Sequence, residues 1–134
     1  MIKVSIFLFF CFVAIVKGTL HGILWSKKGA DAYSWNEHIV LWVDASLTFL
    51  AVYFGYFYAQ NLSFWSLSLL SAAGGFVYMA LHPSFYYLSR HQIDGAYDGP
   101  FDEPSEGSTA WLNFPTWARV VFLVVAIVIL IIAL

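Results

Sequence analysis

The chain has 134 residues, of which 61% are hydrophobic, 20% are aromatic and only 10% are charged, and its formal net charge at pH 7 is -2. A soluble domain of this length could not bury so much apolar surface, so the composition indicates an integral membrane protein. The lysines and arginines form no basic patch beyond Lys27 and Lys28, which argues against nucleic-acid binding.

The first apolar run predicts a membrane-spanning helix over residues 2–25. A signal peptide is the alternative, with Lys3 as its basic start, residues 4–16 as its apolar core and cleavage after Gly18. The apolar pattern resumes at Leu20 and continues to Trp25, which favours a retained helix. The single cysteine, Cys11, lies within this run, so no intrachain disulfide can form.

A second helix is predicted over residues 36–58, after a polar loop at residues 26–35. Ser34 or Asn36 can cap this helix, because both side chains accept hydrogen bonds from free backbone N–H groups. Glu37 in the first turn suits the positive end of the helix dipole. The connection that follows is so short that the third predicted helix must return beside the second, in the opposite direction.

The third helix is predicted over residues 63–82, where Pro83 biases the residue before it away from helical geometry and marks an end or a kink. Residues 83–114 are then predicted to form a second polar loop, in which residues 84–91 could form a short interfacial helix. The fourth helix is predicted over residues 115–134, with Pro115 suited to its first turn. The sequence therefore predicts an all-α integral membrane protein, with four transmembrane helices in a single up-down antiparallel bundle over residues 1–134.

An even number of spans places both termini on one side of the membrane and the two long loops on the other. Lys27, Lys28, Arg90 and Arg119 flank the long loops, against Lys3 on the terminal side. The positive-inside rule therefore predicts a multi-pass protein whose long loops are cytoplasmic.

Ionisable residues recur at helical spacing inside the predicted spans. When consecutive predicted helices are aligned antiparallel about the first two loops, Lys17, Asp44 and Tyr78 fall at the same depth, in one layer of the bundle. His21 and His82 fall in the layer above, and Arg119 falls near it, with Glu37 as its predicted partner. The candidate intramembrane set is Lys17, His21, Glu37, Asp44, Tyr78, His82 and Arg119.

The histidines offer a separate hypothesis, because all of them fall near the same predicted membrane side. Together with Glu37 they could bind a transition metal, and a pair on different helices, His21 and His82, could ligate a haem from both faces. No H-x-x-x-H, H-E-x-x-H or C-x-x-C spacing supports such a site. The candidate metal ligands are His21, His38, His82 and His91.

Three functions stay open on this pattern. The favoured one is an accessory or structural subunit of a larger membrane complex, in contact with the lipid bilayer and with other membrane subunits, because the fourth predicted helix is aliphatic on every face after Arg119. Charge pairs such as Lys17 with Asp44 would then serve packing and register. The alternatives are a proton- or ion-handling protein that uses the Lys/Asp/His set, and a histidine-ligated metal or haem protein. No serine–histidine–acid order, phosphate-binding glycine loop or nucleophile elbow predicts an enzyme.

Overall fold

The computed structural model describes residues 2–26, 43–44, 46–48, 50, 62–95, 99 and 114–134. Within these residues all regular structure is helical, as predicted: α1 spans Ile2–Ser26, α2 spans Phe64–Ile93 and α3 spans Thr116–Ala133. The residues described between 43 and 50 are also helical and are called the Asp44 segment. The rest of the second predicted helix and most of both long loops lie outside the described residues.

All three helices are long and apolar enough to cross a membrane. Their 25, 30 and 18 residues correspond to about 37, 45 and 27 Å at a rise of about 1.5 Å per residue, against about 30 Å for the hydrocarbon core of a bilayer. Helix length and composition therefore agree with the predicted membrane class. α1 is continuous through Gly18, the residue after which a signal peptide would have been cleaved.

α1 and α2 lie side by side and run in the same direction. The Phe10 ring packs against Gly74, and the backbone of Gly18 meets that of His82 further along both helices. Between these two contacts, Ala14 and Val77 are fully buried in a shared apolar cluster. Because the two helices are parallel, the chain between them must return to the starting end before α2 begins.

α3 packs on α2 in the opposite direction. Phe122 lies 6.0 Å from Phe76 between ring centroids, while Ala133 at the far end of α3 shares a buried cluster with Leu70. The ammonium group of Lys3 donates a hydrogen bond of 2.6 Å to the backbone carbonyl oxygen of Ala133. The start of α1 and the end of α3 therefore meet at one end of the helix pack, where the lysine charge also suits the negative end of the α3 dipole.

The prediction that the third helix ends at His82 is wrong. α2 continues through Pro83 to Ile93, where the backbone N–H of Asp94 donates 2.8 Å to the carbonyl oxygen of Arg90. Pro83 cannot donate to the Met79 carbonyl oxygen, and the Ser84 hydroxyl adds a separate bond of 2.9 Å to the neighbouring Ala80 carbonyl oxygen. Packing against a neighbouring helix is one way in which proline is tolerated inside spanning helices, and α1 meets α2 at this turn.

The same correction moves Arg90 from a predicted loop into the last turn of α2. Its side chain is 3% exposed, donates 2.7 Å to the Tyr86 hydroxyl and lies over the Tyr86 ring. A cation in this turn also interacts favourably with the helix dipole. The end of α2 is therefore a packed helix terminus rather than part of a surface loop.

Candidate functional site

Two glycines on α1 determine how closely it approaches α2. A Cβ atom on Gly18 would overlap the His82 carbonyl oxygen, and one on Gly22 would lie 2.6 Å from the Tyr86 carbonyl oxygen and overlap the Ser89 hydroxyl. The two residues form a G-x-x-x-G motif, which allows backbones of neighbouring helices to touch. Sequence reasoning followed the polar spacing of α1 and missed this motif, although it is visible in the sequence.

His21, which lies between the two glycines, is brought directly onto α2. Its Nδ1 atom lies 2.9 Å from Nε2 of His82, with the ring centroids 5.1 Å apart and the rings at 67°. His21 is 7% exposed. A hydrogen bond between two imidazole nitrogens requires a proton on one and a lone pair on the other, so the contact fixes one proton between the helices.

Lys17 lies one helical turn before His21 on α1. Its ammonium group forms an ion pair with the carboxylate oxygen Oδ2 of Asp44. The same oxygen lies 3.9 Å from Nε2 of His21. The pair is partly accessible, since the side chains of Lys17 and Asp44 are 24% and 43% exposed. Asp44 therefore links a partly exposed cation to the buried His21.

Tyr78 on α2 contacts His82. Its ring stacks on that of His82, with centroids 4.7 Å apart and an interplanar angle of 19°. The structure thus brings together five of the predicted residues, which are called the polar cluster from here on: Lys17, His21, Asp44, Tyr78 and His82.

Of the remaining predicted residues, Arg119 and His91 lie apart from the polar cluster. Arg119 is buried in the first turn of α3, where its Nε atom donates 2.8 Å to the Phe114 carbonyl oxygen and its guanidinium lies 5.2 Å from the centre of the Tyr87 ring. His91 is exposed and follows His82 by nine residues, about 14 Å along the helix. Glu37 and His38 lie outside the described residues.

Metal or haem ligation between His21 and His82 does not fit their placement. An iron held from opposite faces by two imidazoles separates the ligating nitrogens by about 4 Å, twice a metal–nitrogen bond of about 2 Å. The facing nitrogens of His21 and His82 are 2.9 Å apart and bonded to each other. In the part of the chain that the structure describes, no group of three or more His, Cys, Asp or Glu residues is arranged to hold a metal ion.

The chain matches no protein-family model, and it has no match among curated proteins or solved structures. The groups of the polar cluster themselves indicate what chemistry it allows. Imidazoles exchange protons near neutral pH, and a carboxylate, an ammonium group and a phenol in contact with them can stabilise or oppose that exchange.

Proposed function

We propose that this chain is a small multi-pass membrane protein that handles protons at the polar cluster. The observation that carries the proposal is the direct hydrogen bond between His21 and His82 on two helices that are each long and apolar enough to cross a membrane. Ionisable groups inside spanning helices are costly, and they are a recurring feature of proton pathways. Histidine suits this role because one ring nitrogen can donate a proton while the other accepts one.

A four-span topology is part of the proposal. α1 and α2 are parallel, so the 37 residues between them, 27–63, must cross back, and the Asp44 segment within that stretch is helical. A helix over residues 36–58, as predicted, supplies this crossing. The fourth span is α3, which is antiparallel to α2.

The exposed tryptophans support a particular depth for the polar cluster. Trp65 at the start of α2 is 70% exposed and Trp117 at the start of α3 is 68% exposed, and exposed tryptophan rings favour the two membrane interfaces. Trp117 lies two residues before Arg119, which contacts Tyr87, so the tryptophans lie about 36 Å apart along α2. His82 then lies about 10 Å below the interface on the side of the long loops.

This depth favours proton exchange with the long-loop side. Lys17 and Asp44 are partly exposed, whereas His21 is buried and His82 is half-buried. A proton can therefore enter at the Asp44 carboxylate and reach the histidine pair through His21, whose Nε2 atom is 3.9 Å from that carboxylate. Within the described residues of α1 and α2, the half towards Trp65 holds Lys3, Cys11 and, at its inner end, Tyr78 as its titratable side chains.

The test is proton movement in liposomes that contain the purified protein and a trapped pH-sensitive dye. We expect an imposed pH gradient to decay faster than in empty liposomes, and His82→Gln or His21→Gln to slow that protein-dependent decay by at least about tenfold. His91→Gln is the matched control, because this exposed histidine lies on the same helix outside the polar cluster. Decay no faster than in empty liposomes, or equal loss in His91→Gln, contradicts the proposal.

An accessory or structural subunit is the second candidate, and the outer face of α3 favours it. Alanines at positions 118, 126 and 133 are buried, whereas Val120, Val124, Ile127 and Ile131 are each more than two-fifths exposed. Such a face can meet lipid or another membrane subunit. Native mass spectrometry from a mild detergent distinguishes the two candidates: a second membrane polypeptide in fixed ratio, together with absent proton movement, supports the subunit.

A further inference from the structure

The hydrogen bond between the two imidazoles can be formed in two ways when both rings are neutral. Either Nδ1 of His21 carries a proton and donates to Nε2 of His82, or Nε2 of His82 carries it and donates to Nδ1 of His21. A neutral imidazole has a single N–H, so each choice also fixes the outer nitrogen of each ring. In the first arrangement Nε2 of His21 is a bare lone pair, whereas in the second arrangement it is an N–H.

The carboxylate of Asp44 lies beside the ring nitrogen at which these arrangements differ. Its Oδ2 atom is 3.9 Å from Nε2 of His21, which is too far for a hydrogen bond, so the carboxylate acts on this ring through its negative charge. A negative charge attracts an N–H group and repels a lone pair. Because His21 is buried, this interaction is screened less than one at the surface. Asp44 therefore favours the proton on Nε2 of His21.

We infer that Asp44 is a positioning residue that holds His21 as its Nε2–H tautomer, so that Nδ1 of His21 accepts a hydrogen bond from the Nε2–H group of His82. The inference rests on the proposed function, because it states which atoms of the proton path carry protons at rest. Which nitrogen of a histidine is protonated depends on what its other nitrogen faces. The lone pair left over in the pair is that of Nδ1 of His82.

Two charged groups act on His21 in opposite directions. The ammonium group of Lys17 pairs with the same Oδ2 atom of Asp44, so its positive charge reduces the field of the carboxylate at the ring. On the other side of the pair, the Tyr78 ring stacks on His82 and orients the plane of the donor. Removal of Asp44 should therefore weaken the preference for this arrangement, whereas removal of Lys17 should strengthen it.

This arrangement is also the one that a proton leaves behind when it passes from Asp44 through His21 to His82. In that transfer Nε2 of His21 gains a proton, another proton crosses from Nδ1 of His21 to Nε2 of His82, and Nδ1 of His82 gives one up. Nε2 of His21 can accept the next proton only after both rings have returned to the opposite arrangement. The return of the rings is therefore a step of every transfer in this direction.

The experiment is solid-state nitrogen NMR of the histidine-labelled protein in lipid, because protonated and bare imidazole nitrogens resonate at well-separated frequencies. The variants His38→Gln and His91→Gln remove the other two histidine signals, and Gly22 identifies its neighbour His21. At about pH 8, above the ordinary histidine pKa of about 6.5, we expect a proton on Nε2 of both rings. A coupling across the hydrogen bond should connect Nε2 of His82 to Nδ1 of His21. A proton on Nδ1 of His21 overturns the inference.

Three variants test the role of Asp44, and the wild-type spectrum decides if none of them folds. Asp44→Leu should raise the ratio of the opposite arrangement to this one by at least about tenfold, because a charge about 4 Å from the ring is lost. Asp44→Glu keeps a carboxylate and should restore the wild-type pattern, and Lys17→Met should lower the ratio. A ratio that does not change in a folded Asp44→Leu protein overturns the role of Asp44.

Failure of the proposed function is distinguishable from failure of this inference. The expected protonation pattern without proton movement in liposomes contradicts the proposed function alone. Proton movement in a protein whose proton lies on Nδ1 of His21 contradicts this inference alone.

Discussion

One carboxylate oxygen of Asp44 interacts with two cationic or potentially cationic groups on α1. It forms the ion pair with Lys17 and lies 3.9 Å from Nε2 of His21. A charge left without its partner inside a helix pack is costly, whereas removal of both partners leaves no uncompensated charge. The energetic role of the pair is therefore best seen by comparing single with double substitutions.

We predict that Lys17→Met and Asp44→Leu each destabilise the protein more than the double variant does. The coupling energy between the two sites should be about 1–3 kcal/mol, at the upper part of the range for contacting residues. The measurement is the free energy of unfolding in mixed micelles. Combining Lys17→Met with Ser68→Ala is the control, since the Ser68 hydroxyl bonds to the Phe64 carbonyl oxygen at the other end of α2.

Additive effects for Lys17 and Asp44 would contradict the observed ion pair. Coupling of similar size between Lys17 and Ser68 would show that the assay reports a general loss of packing.

At the scale of the helix, close packing makes specific glycines necessary. We predict that Gly22→Ala lowers the free energy of unfolding by about 1–3 kcal/mol, because its Cβ would meet the Tyr86 carbonyl oxygen and the Ser89 hydroxyl. Gly75→Ala is the matched control: a Cβ there has no neighbour within 4 Å, and alanine is favoured over glycine inside a helix by about 1 kcal/mol. Thermal unfolding of both variants in one detergent is the measurement. A Gly22→Ala protein as stable as Gly75→Ala would refute the glycine contact.

The turn at Pro83 gives a second prediction for the helix. Ser84→Ala removes the hydroxyl that bonds to the Ala80 carbonyl oxygen, and we expect it to cost about 1 kcal/mol and to speed amide hydrogen exchange in the neighbouring turns. Ser71→Ala should change little, because the Ser71 hydroxyl bonds to the Leu67 carbonyl oxygen in a turn with no proline. Equal exchange rates in the two variants would show that the Ser84 hydroxyl does not stabilise the turn at Pro83.

The errors of sequence reasoning have local physical causes. The rule that a helix ends before proline describes a helix without support, and α2 is supported at Pro83 by Ser84 and by Gly18 of α1. Both supports depend on tertiary packing that one segment does not reveal. The glycine motif of α1 is visible in the sequence alone, but Lys17 and His21 lie beside the two glycines, and a search for polar spacing selects those residues instead.

The polar cluster itself was accessible to simple geometry. Reflection about the loops needs only a constant rise per residue and alternating direction, and it placed Lys17 beside Asp44 and His21 level with His82. It could not anticipate that Arg119 contacts Phe114 and Tyr87 instead, because the long connection predicted before α3 leaves the register of that helix undetermined. Residue spacing therefore predicts the depth of each ionisable residue along the bundle. Which residues contact one another at that depth depends also on the direction of each side chain.

For the whole molecule, the proposed four-span topology makes a labelling prediction. Single cysteines at Gly29 and Gly107, in a Cys11→Ala background, should react with an impermeant thiol reagent from one side of sealed vesicles, and a cysteine at Asn61 should react from the other. The reason is that parallel α1 and α2 require an intervening crossing. Labelling of Gly29 and Asn61 from the same side would contradict it.

The length of α2 has a consequence for the membrane in which the protein resides. Its 30 residues measure about 45 Å, so a hydrocarbon core of about 30 Å covers only about two-thirds of the helix when it stands upright. A thicker membrane would draw in residues 88–93 with the Arg90 side chain, whereas a thinner one would bring water closer to His82. Hydrophobic mismatch of either sign costs energy, so α2 gives the protein a preferred membrane thickness, and proton access to the polar cluster should depend on the acyl-chain length of the surrounding lipid.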